Sequence, residues 1–267
     1  VGATARDYVG RFLHEGFAVM ATDYAGLGTP GVHPYLDGPS EAHSLIDGVR
    51  AARAVDPRLS TKWAATGYSQ GGHATLFAAH LANATAPDLD YRGGVAIAPP
   101  TRLERLLPLA GPYVPKVPFS GTTTFFALIL TALRAAHPEL NLDSYLTPHG
   151  VEVLDGLEET CYADAEQKLN IGGIGDLLSR PLNDPALVSA FRQMVEVPTS
   201  GYDRPLMLAQ GLNDDVVPPP LTADFGAELI ANGVDVTIRV YPDNHLDTVF
   251  SSQPDAIAFM HKIFDKP

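Results

Sequence analysis

The chain holds 267 residues, of which 45% are hydrophobic and 18% charged, a balance that supports a sizeable core and excludes intrinsic disorder. With 18 Lys and Arg against 31 Asp and Glu, the formal net charge is −13, which repels phosphate backbones and anionic bilayers and excludes nucleic acid as a partner. A single cysteine, Cys161, excludes an intrachain disulfide and a multi-cysteine zinc site, and the longest apolar stretch, 122–133, falls well short of the roughly 20 residues that span a bilayer.

Residues 4–15 read as a first helix. The run 17–21 that follows is near-continuously apolar and ends at turn residues, as do 63–67 and 94–98, which is how strands buried on both faces of a parallel sheet read. Helical stretches at 40–55 and 72–84 alternate with these runs and predict a parallel sheet covered on both sides. From 101 to about 200 the strand signals stop. Pro and Gly punctuate helical pieces at 103–109, 122–136, 154–169 and 186–195, a stretch too long for an ordinary loop and best read as a helical insertion. The α/β pattern then resumes with a buried strand at 205–209 and a helix at 221–232 stopped by Gly233. The alternation at 234–240 marks a half-exposed edge strand, and Ser252 reads as the cap of a last helix ending at Phe264. The expected organisation is a core interrupted once: 1–100, its first part; 101–200, a helical cap; 201–267, its second part.

Gly67-Tyr68-Ser69-Gln70-Gly71 is a GxSxG motif set between a strand and an Ala-rich helix. That context suits a nucleophile elbow, in which the serine occupies a strained turn, the flanking glycines let backbone approach closely, and the helix N-terminus faces a developing oxyanion. A serine nucleophile needs a base, and the base an orienting acid. Asp214 and Asp215 follow the strand ending at Ala209, and His245 follows the strand ending near Tyr241, in the chain order Ser, Asp, His. All three positions lie at carboxyl ends of expected strands, where an α/β sheet places its site. By residue pattern alone either aspartate fits. The Gln70 backbone N–H is the expected first oxyanion donor; the second is not identified.

The remaining histidines read as bystanders. His73 is a helix-packing residue, His14, His43, His80, His137 and His261 sit on or near helices, and His33 and His149 fall in Gly/Pro-rich loops. Cys161, with no base beside it in sequence, reads as a structural or packed residue rather than a nucleophile. Gly26-Leu-Gly28-Thr-Pro-Gly31 matches GxGxxG, but the Pro- and Gly-containing residues 32–39 do not open the helix a dinucleotide site requires. Asn83-Ala-Thr85 is a glycosylation sequon. No cofactor or metal is called for.

Beyond these signals, the stretch from Asp23 to Gly31, the His33-Pro-Tyr35 segment, Asp47-Gly-Val-Arg50, the elbow through Ala74, Asp214-Asp-Val-Val-Pro218 and Asn244-His-Leu246 together resemble the secretory lipase family of the fungal lipase A type. The resemblance implies an α/β-hydrolase fold with a helical cap or lid, hydrolysis of carboxylic esters by a Ser-Asp-His triad through an acyl-enzyme, Asp214 rather than Asp215 as the acid, and an exported protein. It implies a small-molecule or lipid ester as substrate. The helix at 122–133, apolar all round, is expected to line the acyl pocket or meet a lipid interface, with packing inside the cap as the alternative. Amide hydrolysis, acyl transfer and a non-catalytic binding role remain the rivals on the same scaffold. One further expectation concerns the N-terminus: 4–15 reads as the first core helix and 17–21 as the fourth strand, with no loop before them to supply the second oxyanion donor. The chain also opens on Val1, so upstream strands are expected to be missing from it.

Overall fold

In the computed structural model, which describes residues 3–117, 121–169 and 171–265, apolar runs pair side by side in parallel. Among the described residues, β1 (Lys62–Tyr68), β2 (Asp90–Ile97), β3 (Leu206–Gly211) and β4 (Val236–Tyr241) form one sheet in that order. Gly94 stands opposite Leu206, and Leu206 opposite Val236. Each strand falls within four residues of the bounds its apolar run predicts, and β4 is the half-exposed edge.

Alternate residues of a strand point to opposite faces, and this decides which helix covers which side. On one face Trp63, Ala65, Ala96, Leu206 and Leu208 pack with α2 (Gly38–Val55), α3 (Gln70–Thr85) and α9 (Pro219–Ala231), through Ala42, Ile46, Leu76 and Phe225. On the other, Val95, Ile97, Met207 and Ala209 pack with Phe12 of α1 (Ala3–His14) and with Ala256, Phe259, Met260 and Ile263 of α10 (Asp247–Asp265). Two helical layers around a parallel sheet make this the doubly covered α/β arrangement that the alternation of apolar runs and helices predicts. Gly233 ends α9 with φ at 76°, the left-handed cap its position predicts.

The chain divides into two compact units: Val1–Asp23, Glu41–Thr101 and Val197–Pro267 in one, Tyr24–Ser40 and Arg102–Glu196 in the other. The sequence puts residues 24–40 with the sheet, but they belong to the second unit, where Leu36 is buried in its core and the Tyr35 ring stacks on Phe125 at 6.3 Å. That core gathers Leu130 and Leu133 of α4 (Thr122–Ala136), Leu154 of α5 (Pro148–Glu159), Leu177 of α7 (Ile174–Leu177) and Leu187 of α8 (Pro185–Val195). Thr147 caps α5 and Asp184 caps α8 with their side-chain oxygens. Among the described residues, no helix is long and apolar enough to cross a membrane.

Four expectations need correction. Residues 17–21 join no ladder among the described residues and run as irregular, mostly exposed backbone. An apolar run becomes a strand only where a neighbouring backbone satisfies its polar groups; here Phe17 instead packs its ring against Phe12, His261 and Phe264. The helix expected at 103–109 is two 3-10 turns, Leu103–Arg105 and Leu107–Leu109, because Pro108 has no N–H with which to continue. The piece at 154–169 is two helices, α5 and α6 (Tyr162–Leu169), parted at Thr160 and Cys161. Ser252 lies inside α10 rather than at its start. The Asn244 side chain caps that helix by accepting from the Asp247 N–H at 2.9 Å, and Pro254 is carried within it. A serine two residues before a proline imitates a helix start.

Candidate active site

Ser69 sits at the junction of β1 and α3 with φ 55° and ψ −119°, left-handed backbone that a residue with a β-carbon adopts only under constraint. The constraint is visible on both sides. Ser69 donates its N–H to the Ile97 carbonyl at the end of β2, while its own carbonyl accepts from Gly72 at 2.8 Å and His73 at 3.1 Å. The two glycines of the motif have different jobs. A β-carbon at Gly67 would be driven into the carbonyl of Gly71, whereas one at Gly71 would meet nothing within 4 Å. Only the first is demanded by close approach of backbone.

The loops after β3 and β4 bring two more groups to this turn. His245 Nε2 lies 3.0 Å from Ser69 Oγ, and His245 Nδ1 lies 2.7 Å from Asp214 Oδ2. A carboxylate can only accept, so Nδ1 carries the proton and Nε2 is left to accept the serine hydroxyl. The Tyr68 ring backs the imidazole at 4.7 Å between centroids.

Asp214 is buried and held by four donors. Oδ1 accepts from the N–H groups of Val216 and Val217, and Oδ2 from His245 and from Gln210 Nε2. Burial alone pushes its carboxyl pKa up. The hydrogen bond and charge of His245, with the two peptide N–H groups, outweigh burial and bring it below the ordinary aspartate value. Asp215, which the residue pattern ranked equally, is exposed. The structure therefore brings Ser69, Asp214 and His245 together and leaves Asp215 outside. Gln70, whose peptide opens α3, turns its side chain to Glu41 at 2.8 Å.

Of the other histidines, His73 is fully buried against Glu41, as a packing residue would be, and His14, His43 and His261 are exposed. His149 lies in the first turn of α5 rather than in a loop. His33 accepts a structural role: its Nδ1 meets the Ala25 carbonyl at 2.9 Å, and Gly26, with φ at 79°, has the His33 backbone too close for any β-carbon. No helix opens from the GxGxxG loop; α2 begins only at Gly38. Cys161 is exposed, which corrects its reading as a packed residue. Among the described residues, no group of three or more His, Cys, Asp or Glu side chains is arranged to hold a metal ion.

Residue-pattern reasoning missed Gln210 and Thr222. Thr222 donates to Gln210 Oε1 at 2.8 Å, which aims the Gln210 amide at Asp214. One signal was present: Gln210 is a polar residue inside the otherwise apolar, fully buried β3. Glu41 had no such signal, since an acid in the first turn of a helix usually faces water.

Residues 6–267 match the family model described as secretory lipase. Lipase A of Moesziomyces aphidis is 24% identical over 272 residues, covering 96% of this chain and 56% of that protein. A protein of Mycobacterium tuberculosis described as a probable inactive lipase is 28% identical over 238 residues, covering 84% of this chain and 50% of its own length. The crystal structure of Candida antarctica lipase A superposes with a TM-score of 0.74 at 24% identity, over 88% of this chain and 56% of that one, a likeness of fold. The chain spans about half the length of the curated relatives it matches.

Proposed function

The chain belongs to the secretory lipase family, and from that premise we propose that it hydrolyses carboxylic esters with Ser69 as nucleophile, His245 as general base and Asp214 as the group that orients it. The observation that carries this reading is the continuous relay from Ser69 Oγ to His245 at 3.0 Å and from His245 to Asp214 at 2.7 Å. Ser69 Oγ attacks the ester carbonyl as its proton passes to His245 Nε2, and the imidazolium so formed is stabilised by the Asp214 carboxylate. The tetrahedral oxyanion is received by the Gln70 peptide N–H, at the positive end of α3. Collapse transfers the proton from His245 to the departing alcohol and leaves an acyl group on Ser69. Water, deprotonated by His245, attacks that acyl carbonyl, and the acid leaves as Ser69 recovers its proton. No step calls for a metal or cofactor.

The names of the relatives favour a lipid ester as substrate and an extracellular setting. The organisation proposed for the chain is a hydrolase core, the unit that holds the sheet, and a helical cap, the unit that also takes in residues 24–40. Labelling with a fluorophosphonate and turnover of short p-nitrophenyl esters test the reaction. Covalent modification at Ser69, with ester turnover and no turnover of matched anilides, is the expected result. Modification without ester turnover points to another acyl chemistry. No modification at all favours a non-catalytic role; the Mycobacterium tuberculosis relative is itself described as a probable inactive lipase.

A further inference from the structure

One buried acid takes no part in the chemistry above. Glu41 lies in the first turn of α2 with 1% of its surface exposed, and His73, which it faces, is completely buried. Both carboxylate oxygens are engaged: Oε2 with His73 Nδ1 at 2.8 Å, and Oε1 by accepting from Gln70 Nε2 at 2.8 Å. Gln70 and His73 stand one and four residues after Ser69, so they bracket the first turn of α3. His73 also donates its backbone N–H to the Ser69 carbonyl. A carboxylate withdrawn from water is costly unless each oxygen meets a donor, and the same geometry that satisfies Glu41 pins its two donors.

The pinned turn has a reason to relax. Ser69 is held in left-handed backbone, a conformation that persists only where the surroundings over-determine it. The peptide next to it is the proposed oxyanion donor, and such donors act only when aimed at the position the oxyanion will occupy. Gln70 therefore combines two parts: its N–H is the proposed oxyanion donor, and its side chain is anchored to Glu41.

We propose that Glu41 is a positioning residue for acyl transfer. By tying Gln70 and His73 to α2, it holds the first turn of α3 so that the Gln70 N–H meets the tetrahedral oxyanion. This rests on the reading of Ser69 as the nucleophile of an ester hydrolase. A purely structural brace would change stability and the fraction of active molecules. A positioning residue changes turnover per active site while leaving substrate binding alone, because the oxyanion exists only after attack.

The test compares the wild-type chain with Glu41→Gln, Glu41→Ala and Gln70→Ala. Reactive serines are first counted by fluorophosphonate titration, so that all rates refer to folded, competent sites. Turnover of p-nitrophenyl butyrate then yields kcat and KM. Inhibition by butylboronic acid, which forms a tetrahedral adduct on a serine hydroxyl, reports on the oxyanion geometry. Glu41→Ala is expected to lower kcat per titrated site by about 10- to 100-fold with KM within about twofold, and to weaken the boronic acid by a similar factor. Glu41→Gln, which keeps an oxygen for Gln70, recovers part of the loss and keeps the test open should Glu41→Ala fold poorly. Gln70→Ala, with the peptide N–H retained, falls between. A wild-type chain that neither labels nor turns over removes the ester-hydrolase reading and this proposal with it. An active wild type whose Glu41 variants keep kcat per site and boronic acid affinity, whatever their melting temperatures, overturns this proposal alone.

Discussion

Asp214 offers a single carboxylate oxygen to two donors: Oδ2 accepts from His245 Nδ1 at 2.7 Å and from Gln210 Nε2 at 2.9 Å. Gln210 is held in turn by the Thr222 hydroxyl. A hydrogen bond to a charged group contributes about 1.5–3 kcal/mol, so Gln210→Leu is expected to lower kcat/KM by roughly tenfold or more. Thr222→Val, one bond further away, is expected to cost less. Steady-state kinetics on a soluble ester decide it, and unchanged kcat/KM in Gln210→Leu would show that the two peptide N–H groups and His245 suffice.

Removal of the proposed nucleophile or of its base should be far more severe. Ser69→Ala and His245→Ala are each expected to lose about 10³-fold or more in kcat while keeping the wild-type circular dichroism, because nucleophile and base act as a unit. A tenth of the activity surviving in either variant would refute the assignment.

The adjacent aspartates provide an internal control. Asp214→Asn is expected to be severe, since an amide at this position no longer favours the imidazolium and alters the tautomer of His245. Asp215→Asn, at an exposed side chain, is expected to be nearly silent. The reverse order would show that Asp215 rather than Asp214 is the acid.

Asp214 also predicts an acid dependence of stability. Burial raises its carboxyl pKa, but the His245 interactions and the Val217 and Val216 peptide groups leave it below the ordinary value. The unfolded chain therefore takes up the proton first as pH falls. The resulting stabilisation is complete above the ordinary aspartate range and is lost as pH drops through the lower, folded-state value. Urea midpoints taken from about pH 6 to about pH 3 should fall more steeply for the wild type than for Asp214→Asn. Parallel curves would contradict the depressed pKa.

The elbow makes a prediction about its glycines. Gly67→Ala places a β-carbon against the Gly71 carbonyl, and a contact with backbone cannot be relieved by a side-chain rotation. It should cost about 1–3 kcal/mol of stability and displace Ser69 enough to lower activity. Gly71→Ala meets open space and should leave the melting temperature at or above that of the wild type. Equal melting temperatures for the two variants would dispose of the close-approach argument.

Much of the fold was legible because its signals are local. Near-continuously apolar runs read as buried strands whichever neighbour they pair with, and α4 was read with its own bounds because Gly121 and Pro138 punctuate it. The failures share a cause. Residues 17–21 have the composition of a strand, but strand formation is decided by a second backbone, and none pairs with them among the described residues. Ser252 and Pro254 look like a helix start because capping signals extend only a few residues, while Asn244 caps α10 from further upstream. Residues 24–40 are contiguous with the sheet in sequence, yet Leu36 finds its apolar neighbours in the second unit.

By itself the sequence determined the α/β class, the helical segment, and Ser69 and His245 as the residues to examine, because each rests on short-range pattern: apolar period, glycine spacing and chain order. The residue pattern left the two adjacent aspartates open and the resemblance pointed to Asp214; tertiary structure showed it buried beside His245, and alone decided that Gln210 and Thr222 stand behind it and that Glu41 bonds to Gln70 and His73. These depend on groups separated by 31 residues between Asp214 and His245, by 29 between Glu41 and Gln70 and by 32 between Glu41 and His73. Hydrogen bonds act over about 3 Å, and no local pattern records which side chains the packing of a sheet against its helices will bring within that distance.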